Sequence, residues 1–169
     1  MTKPETTEQG NQPKTDVAGK YLTFALAKEE YGIRIIKIKE IVRVPEITSL
    51  PQLPQFIKGV IVLRGKVIPV LDLRLKFEMD QARYDERTCI IVVEVEMKKG
   101  INRIGLIVDS VSDVLNVKSE DIEQTHELGK EYNTEYIIGV AKTDHGVKIL
   151  LNTDKLLGGE TGETLTKAA

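Results

Sequence analysis

The sequence predicts an all-β protein with short helices, built as two small five-stranded β-barrels packed side by side. Three observations lead there. Apolar residues alternate over short runs separated by glycine and proline. The second half of the chain repeats the first. Each copy reads as strand, strand, helical turn, strand and hairpin, about the number of strands that closes into a small barrel and removes its own edges.

The repeat rests on paired positions. Phe56, Ile57, Gly59, Val60, Val67, Val70, Leu71 and Asp72 stand 80 residues before Tyr136, Ile137, Gly139, Val140, Val147, Leu150, Leu151 and Asn152. Upstream, Gly32, Ile33, Ile35, Ile38, Glu40, Ile41, Val42 and Val44 stand 73 residues before Gly105, Leu106, Val108, Val111, Asp113, Val114, Leu115 and Val117. A longer loop at 118–134 absorbs the change of offset. Glycines match as well as apolar residues, which chance likeness between short strands does not explain.

Taken in order, residues 1–19 are rich in Thr, Glu, Gln, Lys and Pro and nearly devoid of apolar side chains. They bury too little to offset the entropy of ordering, so a disordered tail is expected. From Tyr21, the alternation of Leu22, Phe24 and Leu26 with Thr23 marks a strand, and 29–32 turn the chain into a second one through Ile33 and Ile35. Ile35, Ile38, Ile41 and Val42 then recur at three- and four-residue spacing, predicting one or two helical turns before a strand at 42–44. Pro45, Pro51 and Pro54 stiffen the link that follows. At 56–77 two apolar runs flank Arg64-Gly65-Lys66, a hairpin with its charges at the tip and a positive φ at Gly65. Pro69 lacks a backbone donor, which predicts a sheet edge or a bulge there, and Asp72 is placed to cap a short helical segment at 73–77.

After a charged link at 78–87, residues 88–97 read as a strand that starts buried and ends at the surface. A turn at 98–100 leads to a strand over 101–108 and a second switch of period over 109–117. Residues 136–141 and 147–151 make the last hairpin, after which Asn152 or Thr153 caps a short helix that Gly158-Gly159 ends. The first barrel is expected largely over 20–77 and the second largely over 88–157, with strand exchange between them allowed for, and 158–169 as a flexible C-terminal tail.

With 169 residues, 41% of them hydrophobic, the chain can build a real core as one domain or two small packed ones. A net charge of −2 gives no bulk field toward nucleic acid or anionic lipid. The single cysteine, Cys89, forms no internal disulfide, and its apolar run predicts a buried thiol of the kind a reducing compartment permits. No apolar run reaches the length of a membrane span and the polar start lacks a secretory signal, so the cytoplasm is expected.

The chemistry-bearing residues point away from catalysis. Gly59 and Gly65-Lys66 resemble a phosphate loop, yet five residues separate the glycines and Val67 stands where Ser or Thr would hold magnesium. His126 and His145 have no Cys or His partner at ligand spacing and read as solvated loop residues, so neither metal nor cofactor is expected. Asp109-Ser110-Val111-Ser112-Asp113 offers carboxylates and hydroxyls, but it fills the helical-turn slot of the repeat, where such residues cap. Small barrels also bind single-stranded nucleic acid, and Arg43, Arg64, Lys66, Arg74 and Lys76 are the candidate basic face. Aromatics, however, are only 5% and Trp is missing, which leaves few stacking platforms.

The run 59–74, GVIVLRGKVIPVLDLR, resembles the signature of the CheW family of bacterial chemotaxis coupling proteins. The likeness extends from about 21 to 157 and includes Glu30-Tyr31-Gly32-Ile33, Val108-Asp109-Ser110-Val111-Ser112-Asp113-Val114 and Glu135-Tyr136. Val62 departs from it, standing where the family commonly has Asn. The resemblance implies two SH3-like barrels and an adaptor without enzymatic activity. Such an adaptor links the cytoplasmic hairpin tip of methyl-accepting chemoreceptors to the regulatory domain of the histidine kinase CheA, in arrays at the membrane but without inserting into it. Carried over position by position, the receptor-binding groove between the barrels involves Ile38, Glu40, Gly59, Arg64, Gly105, Val111 and Val114. The bland alternatives are barrel core for Ile38, Val111 and Val114, a surface ion pair for Glu40 with Arg64, and backbone geometry for the two glycines. Other readings are a paralogue serving another chemosensory system, such as surface motility, and, from other classes, a nucleic-acid-binding barrel or a minor enzyme.

Overall fold

A computed structural model of the chain describes residues 17–97, 100–124 and 135–168. The strands described are β1 (Gly19–Leu26), β2 (Glu29–Arg34), β3 (Ile38–Arg43), β4 (Ile57–Leu63), β5 (Lys66–Asp72), β6 (Cys89–Met97), β7 (Gly100–Val108), β8 (Ser110–Val117), β9 (Ile122–Gln124), β10 (Ile137–Thr143) and β11 (Gly146–Leu151). Three helices accompany them: α1 (Leu73–Lys76), α2 (Thr153–Leu156) and α3 (Gly159–Ala168). The strands make two sheets, one in the order β8-β1-β2-β11-β10-β9 and one in the order β3-β6-β7-β5-β4. The fold is thus all-β with short helices in two five- to six-stranded units, β9 being the addition to the expected five.

Neither sheet comes from one half of the chain. The hairpin β1-β2 pairs with β8 and β11, while the hairpin β6-β7 pairs with β3 and β5. The boundary expected at 77–88 therefore does not separate the barrels. Each is a hairpin from one repeat completed by three repeat-equivalent strands of the other. The joints are two parallel ladders at matched positions, Gly32 beside Leu150 and Gly105 beside Val70. A Cβ at Gly32 would stand 3.0 Å from Leu150 Cδ2, and one at Gly105 would stand 2.7 Å from Ile90 Cγ2 and 2.9 Å from Val70 Cγ1. Each glycine leaves room for the apolar side chain of the neighbouring strand, and so the pair recurs in both copies.

Gly59 and Gly139 form a second matched pair. Each follows a register shift, between Ile57 and Gly59 and between Ile137 and Gly139, and lets another backbone pass close by. A Cβ at Gly59 would fall 2.0 Å from the Thr48 carbonyl oxygen, and one at Gly139 2.5 Å from that of Glu123. The caps match too: the Leu75 N–H donates to Asp72 Oδ1 at 3.3 Å and the Lys155 N–H to Asn152 Oδ1 at 3.0 Å. Asp72 also accepts the Tyr84 hydroxyl at 2.6 Å, and burial together with that carboxylate pushes the phenol pKa up.

The core has three parts. Ile61, Ile68, Val70, Ile90, Val92 and Ile107 fill one barrel, and Tyr21, Val117, Ala141 and Leu150 fill the other. The largest cluster lies between the sheets, taking Leu22, Phe24 and Ile33 from one and Ile91, Val93 and Leu106 from the other. Buried side chains of both sheets fill the seam between them. Along one side Phe24, Tyr31, Phe77 and Tyr136 stack successively at 5.8–5.9 Å, and the Lys76 ammonium sits 4.8 Å over the Phe56 ring.

Several local expectations change. The helical turn at 35–42 shrinks to a single 3-10 turn, Ile35–Lys37, and the strand begins at Ile38, because pairing with β6 takes the apolar residues that suggested a helix. The second period switch contains no helix. Ser110–Val117 is one bulged strand against β1, so Asp109 does not cap a helix there. Pro69 is in an interior strand, tolerated because the ladder with β7 begins one residue later at Val70. Cys89 is only half-buried at the start of β6. The loop at 118–134 opens with a 3-10 turn and β9, and its remainder lies outside the described residues, as do His126, most of the 1–19 tail and Lys98-Lys99. The expected C-terminal tail instead carries helix α3, whose Leu165 is buried in the shared core. Among the described residues no helix is long and apolar enough to cross a membrane.

Two substitutions to alanine compare steric clash added to an unfavourable backbone, at Gly59 (φ +142°), with an unfavourable backbone alone, at Gly65. Gly59→Ala drives a methyl into the Thr48 carbonyl and is expected to lower stability by about 3 kcal/mol or more. At Gly65 (φ +78°) nothing lies within 4 Å, so Gly65→Ala is expected to cost only about 1–2 kcal/mol from the left-handed backbone. Urea unfolding midpoints of the two variants check the order.

Candidate functional site

The hairpin β4-β5 turns on two residues, Arg64 (φ +52°) and Gly65 (φ +78°), both left-handed as a tight two-residue hairpin demands. Arginine is a poor choice for that backbone, where glycine or asparagine is at ease. The tip therefore holds a strained backbone at Arg64. The guanidinium reaches across to β3 and grips Glu40 with two hydrogen bonds, Nη2 to Oε1 at 2.8 Å and Nε to Oε2 at 3.2 Å. Arg64 remains 73% exposed while Glu40 is largely covered, so the pair presents a fixed guanidinium face to solvent. Hydrogen bonds from Arg64 hold the Glu40 carboxyl below its ordinary value, outweighing a slight desolvation in the other direction.

The apolar members of the predicted site arrive from two edge strands. Ile38 on β3 and Val111 on β8 occupy matched repeat positions and both pack, half-buried, against the shared core. Val114 on β8 is 52% exposed. Its repeat partner on β3 is Ile41, 42% exposed, which sequence reasoning left out of the site although the repeat itself named it. The two edge strands therefore carry the same device: one apolar residue closing the core and, three positions on, one left open to solvent. Ile36, at 80% exposed the most open of the large apolar side chains among the described residues, stands in the 3-10 turn just ahead of Ile38 and was also missed. So was the cross-strand pair Val62 and Val67 beside the Arg64 tip, both exposed.

The two glycines of the predicted site are of a different kind. Gly59 and Gly105 are buried, and the close approaches described above occupy the space a side chain would fill. They shape the strands that carry Arg64 and the core and offer no contact surface of their own.

Other candidates dissolve into the fold. Arg74 gives Nε and Nη2 to the two oxygens of Asp109 at 2.8 and 2.5 Å, and the Ala27 N–H donates to the same carboxylate at 2.8 Å. Burial would raise the Asp109 pKa, but these donors hold it low. Arg43 bonds the Glu86 carbonyl and Lys76 the Thr161 hydroxyl. The basic residues weighed for nucleic-acid binding are thus bound to separate partners, and only Arg64 and Lys66 share the hairpin tip. His145 is exposed in the β10-β11 turn, as expected of a solvated residue.

Comparison with known proteins gives this geometry a family. The model of the CheW-like domain matches residues 20–160. The chain is 40% identical to a protein named Chemotaxis protein CheW from Klebsiella aerogenes over 144 residues, covering 85% of this chain and 84% of that one. It is 30% identical to Protein FrzA of Myxococcus xanthus over 139 residues, covering 81% and 84%. Among solved structures it superposes on the scaffolding protein TtCheW from Thermoanaerobacter tengcongensis with a TM-score of 0.75 at 34% identity, covering 86% of this chain and 96% of that one.

The bidentate grip on Glu40 has a measurable consequence. A depressed carboxylate pKa favours the folded pair above the unfolded value, and the pairing is lost as pH falls through the lowered folded value. In Arg64→Ala, Glu40 is expected to titrate at higher pH than in the parent, read by carboxyl-carbon NMR. The unfolding midpoint at neutral pH should stay unchanged, since an exposed pair stabilises little.

Proposed function

The chain belongs to the CheW family, a family of scaffolding adaptors and not of enzymes, and from that premise we propose that it couples chemoreceptors to a CheA-type histidine kinase. The observation that carries the receptor half is the matched pair of exposed apolar residues, Ile41 and Val114, on the two edge strands that border the shared core. A receptor's cytoplasmic helical hairpin presents an apolar stripe at three- and four-residue spacing, and such a stripe buries itself against this kind of edge. Ile38 and Val111 back the surface from within, and the Arg64–Glu40 pair supplies a directed polar contact beside it. Gly59 and Gly105 serve by fixing the strands that hold these groups.

The adaptor transfers no group. It works by holding two partners in one relative orientation, and a rigid body with a packed seam between its barrels suits that task. The relation to Protein FrzA keeps a second reading alive, a paralogue serving a different chemosensory system with the same architecture. Copurification with a CheA homologue from the native cell decides which array it joins, and localisation at membrane-associated arrays follows from the same experiment.

Arg64→Glu sets like charges against Glu40 at an exposed tip. The variant is expected to fold normally and to weaken co-sedimentation with receptor-bearing membranes about tenfold, the change a single directed charge contact of about 1.4 kcal/mol produces. Unchanged kinase activation in a reconstituted array removes Arg64 from the site. Receptor and kinase are expected to bind together, so a pull-down through tagged receptor should retain the kinase domain only when this protein is present. Mutual displacement of the two partners would overturn the bridging role.

A further inference from the structure

Two of the ion pairs between the exchanged halves lie at equivalent places. Position 74 of α1 and position 154 of α2 are matched in the repeat, 80 residues apart. Arg74 bonds Asp109, the single residue between β7 and β8, where the chain passes from one sheet to the other. Asp154 bonds Lys37 at 2.8 Å, in the turn between β2 and β3, where the chain makes the corresponding passage. Lys37 lies one residue beyond the repeat position of Asp109. Each pair thus joins a post-hairpin helix of one repeat to a crossover of the other. Their polarity is opposite: the helix is basic and the crossover acidic in one, and the reverse in the other.

That reversal bears on a hazard peculiar to this fold. Because the repeats are alike, two chains could complete their barrels with the wrong halves, first with first and second with second. At the glycines the ladders oppose this little, since Gly32 would meet Val70 in place of Leu150, and Gly105 would meet Leu150 in place of Val70; at Lys148, the native ladder partner of Glu30, second-with-second pairing would instead set two cations together, Lys148 beside Arg103. The ion pairs do oppose it. First-with-first pairing brings Arg74 against Lys37, and second-with-second brings Asp154 against Asp109. We propose that the opposed polarity of Arg74–Asp109 and Lys37–Asp154 is a pairing code that directs each repeat to its unlike partner and suppresses like-with-like association between chains. Like charges at a joint discriminate between partners even where the correct pair adds little stability. Both pairs are only partly exposed, at 21% and 27% for Arg74 and Asp109 and 34% and 40% for Lys37 and Asp154, so the penalty acts in a partly desolvated setting.

The test compares two double variants of the whole chain refolded from urea at high concentration. Lys37→Asp/Asp154→Lys keeps an attractive native pair while making both like-with-like pairs attractive as well. Lys37→Gln/Asp154→Asn removes the native pair and creates no attractive wrong one. The code predicts that the charge-swapped variant gives roughly threefold to tenfold more dimer and higher oligomer by size-exclusion chromatography than the neutral variant. The excess should shrink when refolding is done in 1 M salt, where the screening length falls to about 3 Å. If the ion pair acts only on native stability, the swapped variant will be the more monomeric of the two, and that result overturns the proposal. Equal oligomer fractions overturn it too.

Discussion

The reciprocal ladders between β2 and β11 and between β5 and β7 are the constraint on which the rest of the molecule depends. They are parallel pairings of strands far apart in sequence, and they form only because Gly32 and Gly105 leave space for Leu150 and Val70. From them follow the mixed origin of each barrel, the crossovers at 35–37 and 109, and the packing of one large core between the sheets. The edge strands β3 and β8 are edges because the hairpins they pair with belong to the other repeat. Ile41 and Val114 stand exposed on those two edges.

Much of this was legible in the sequence, and for identifiable reasons. The repeat was visible because glycine tolerates so few replacements where another backbone or a branched side chain comes close. Gly59 with Gly139 and Gly32 with Gly105 therefore marked true structural equivalence. The caps by Asp72 and Asn152 and the hairpin at Arg64-Gly65 were legible because capping and tight turns are local chemistry. What did not show was anything set by distant partners. The three- and four-residue spacing of Ile35, Ile38, Ile41 and Val42 imitated a helix, when in fact Ile38 and Val42 face packed cores while Ile41 faces solvent across a bulged strand. Leu165 and the rest of the C-terminal segment looked too polar to fold alone, and they are ordered by a core already built by others.

The candidate site was legible in its polar part. Glu40 and Arg64 lie together in the surface ion pair weighed as the bland alternative, and that pair fixes the guanidinium at the tip. In the apolar part nothing in the residue order separates the residue of each edge strand that faces inward from the one that faces out. The repeat supplied the missing member, since Ile41 stands to β3 as Val114 stands to β8. Buried Gly59 and Gly105 belong to the scaffold beneath the surface, and substitutions there would displace backbone.

The crossed origin of the strands also sets an order of assembly on the ribosome. The sheet of β3, β6, β7, β5 and β4 has all its strands once residue 108 has emerged, so it closes first. The hairpin β1-β2, complete by residue 34, must wait for residue 151 before its parallel neighbour exists, a lag of roughly six to twenty seconds at typical elongation rates. During that interval an apolar hairpin made at the start of translation stays half-paired, and the nascent chain is most in need of protection from its neighbours on the same messenger.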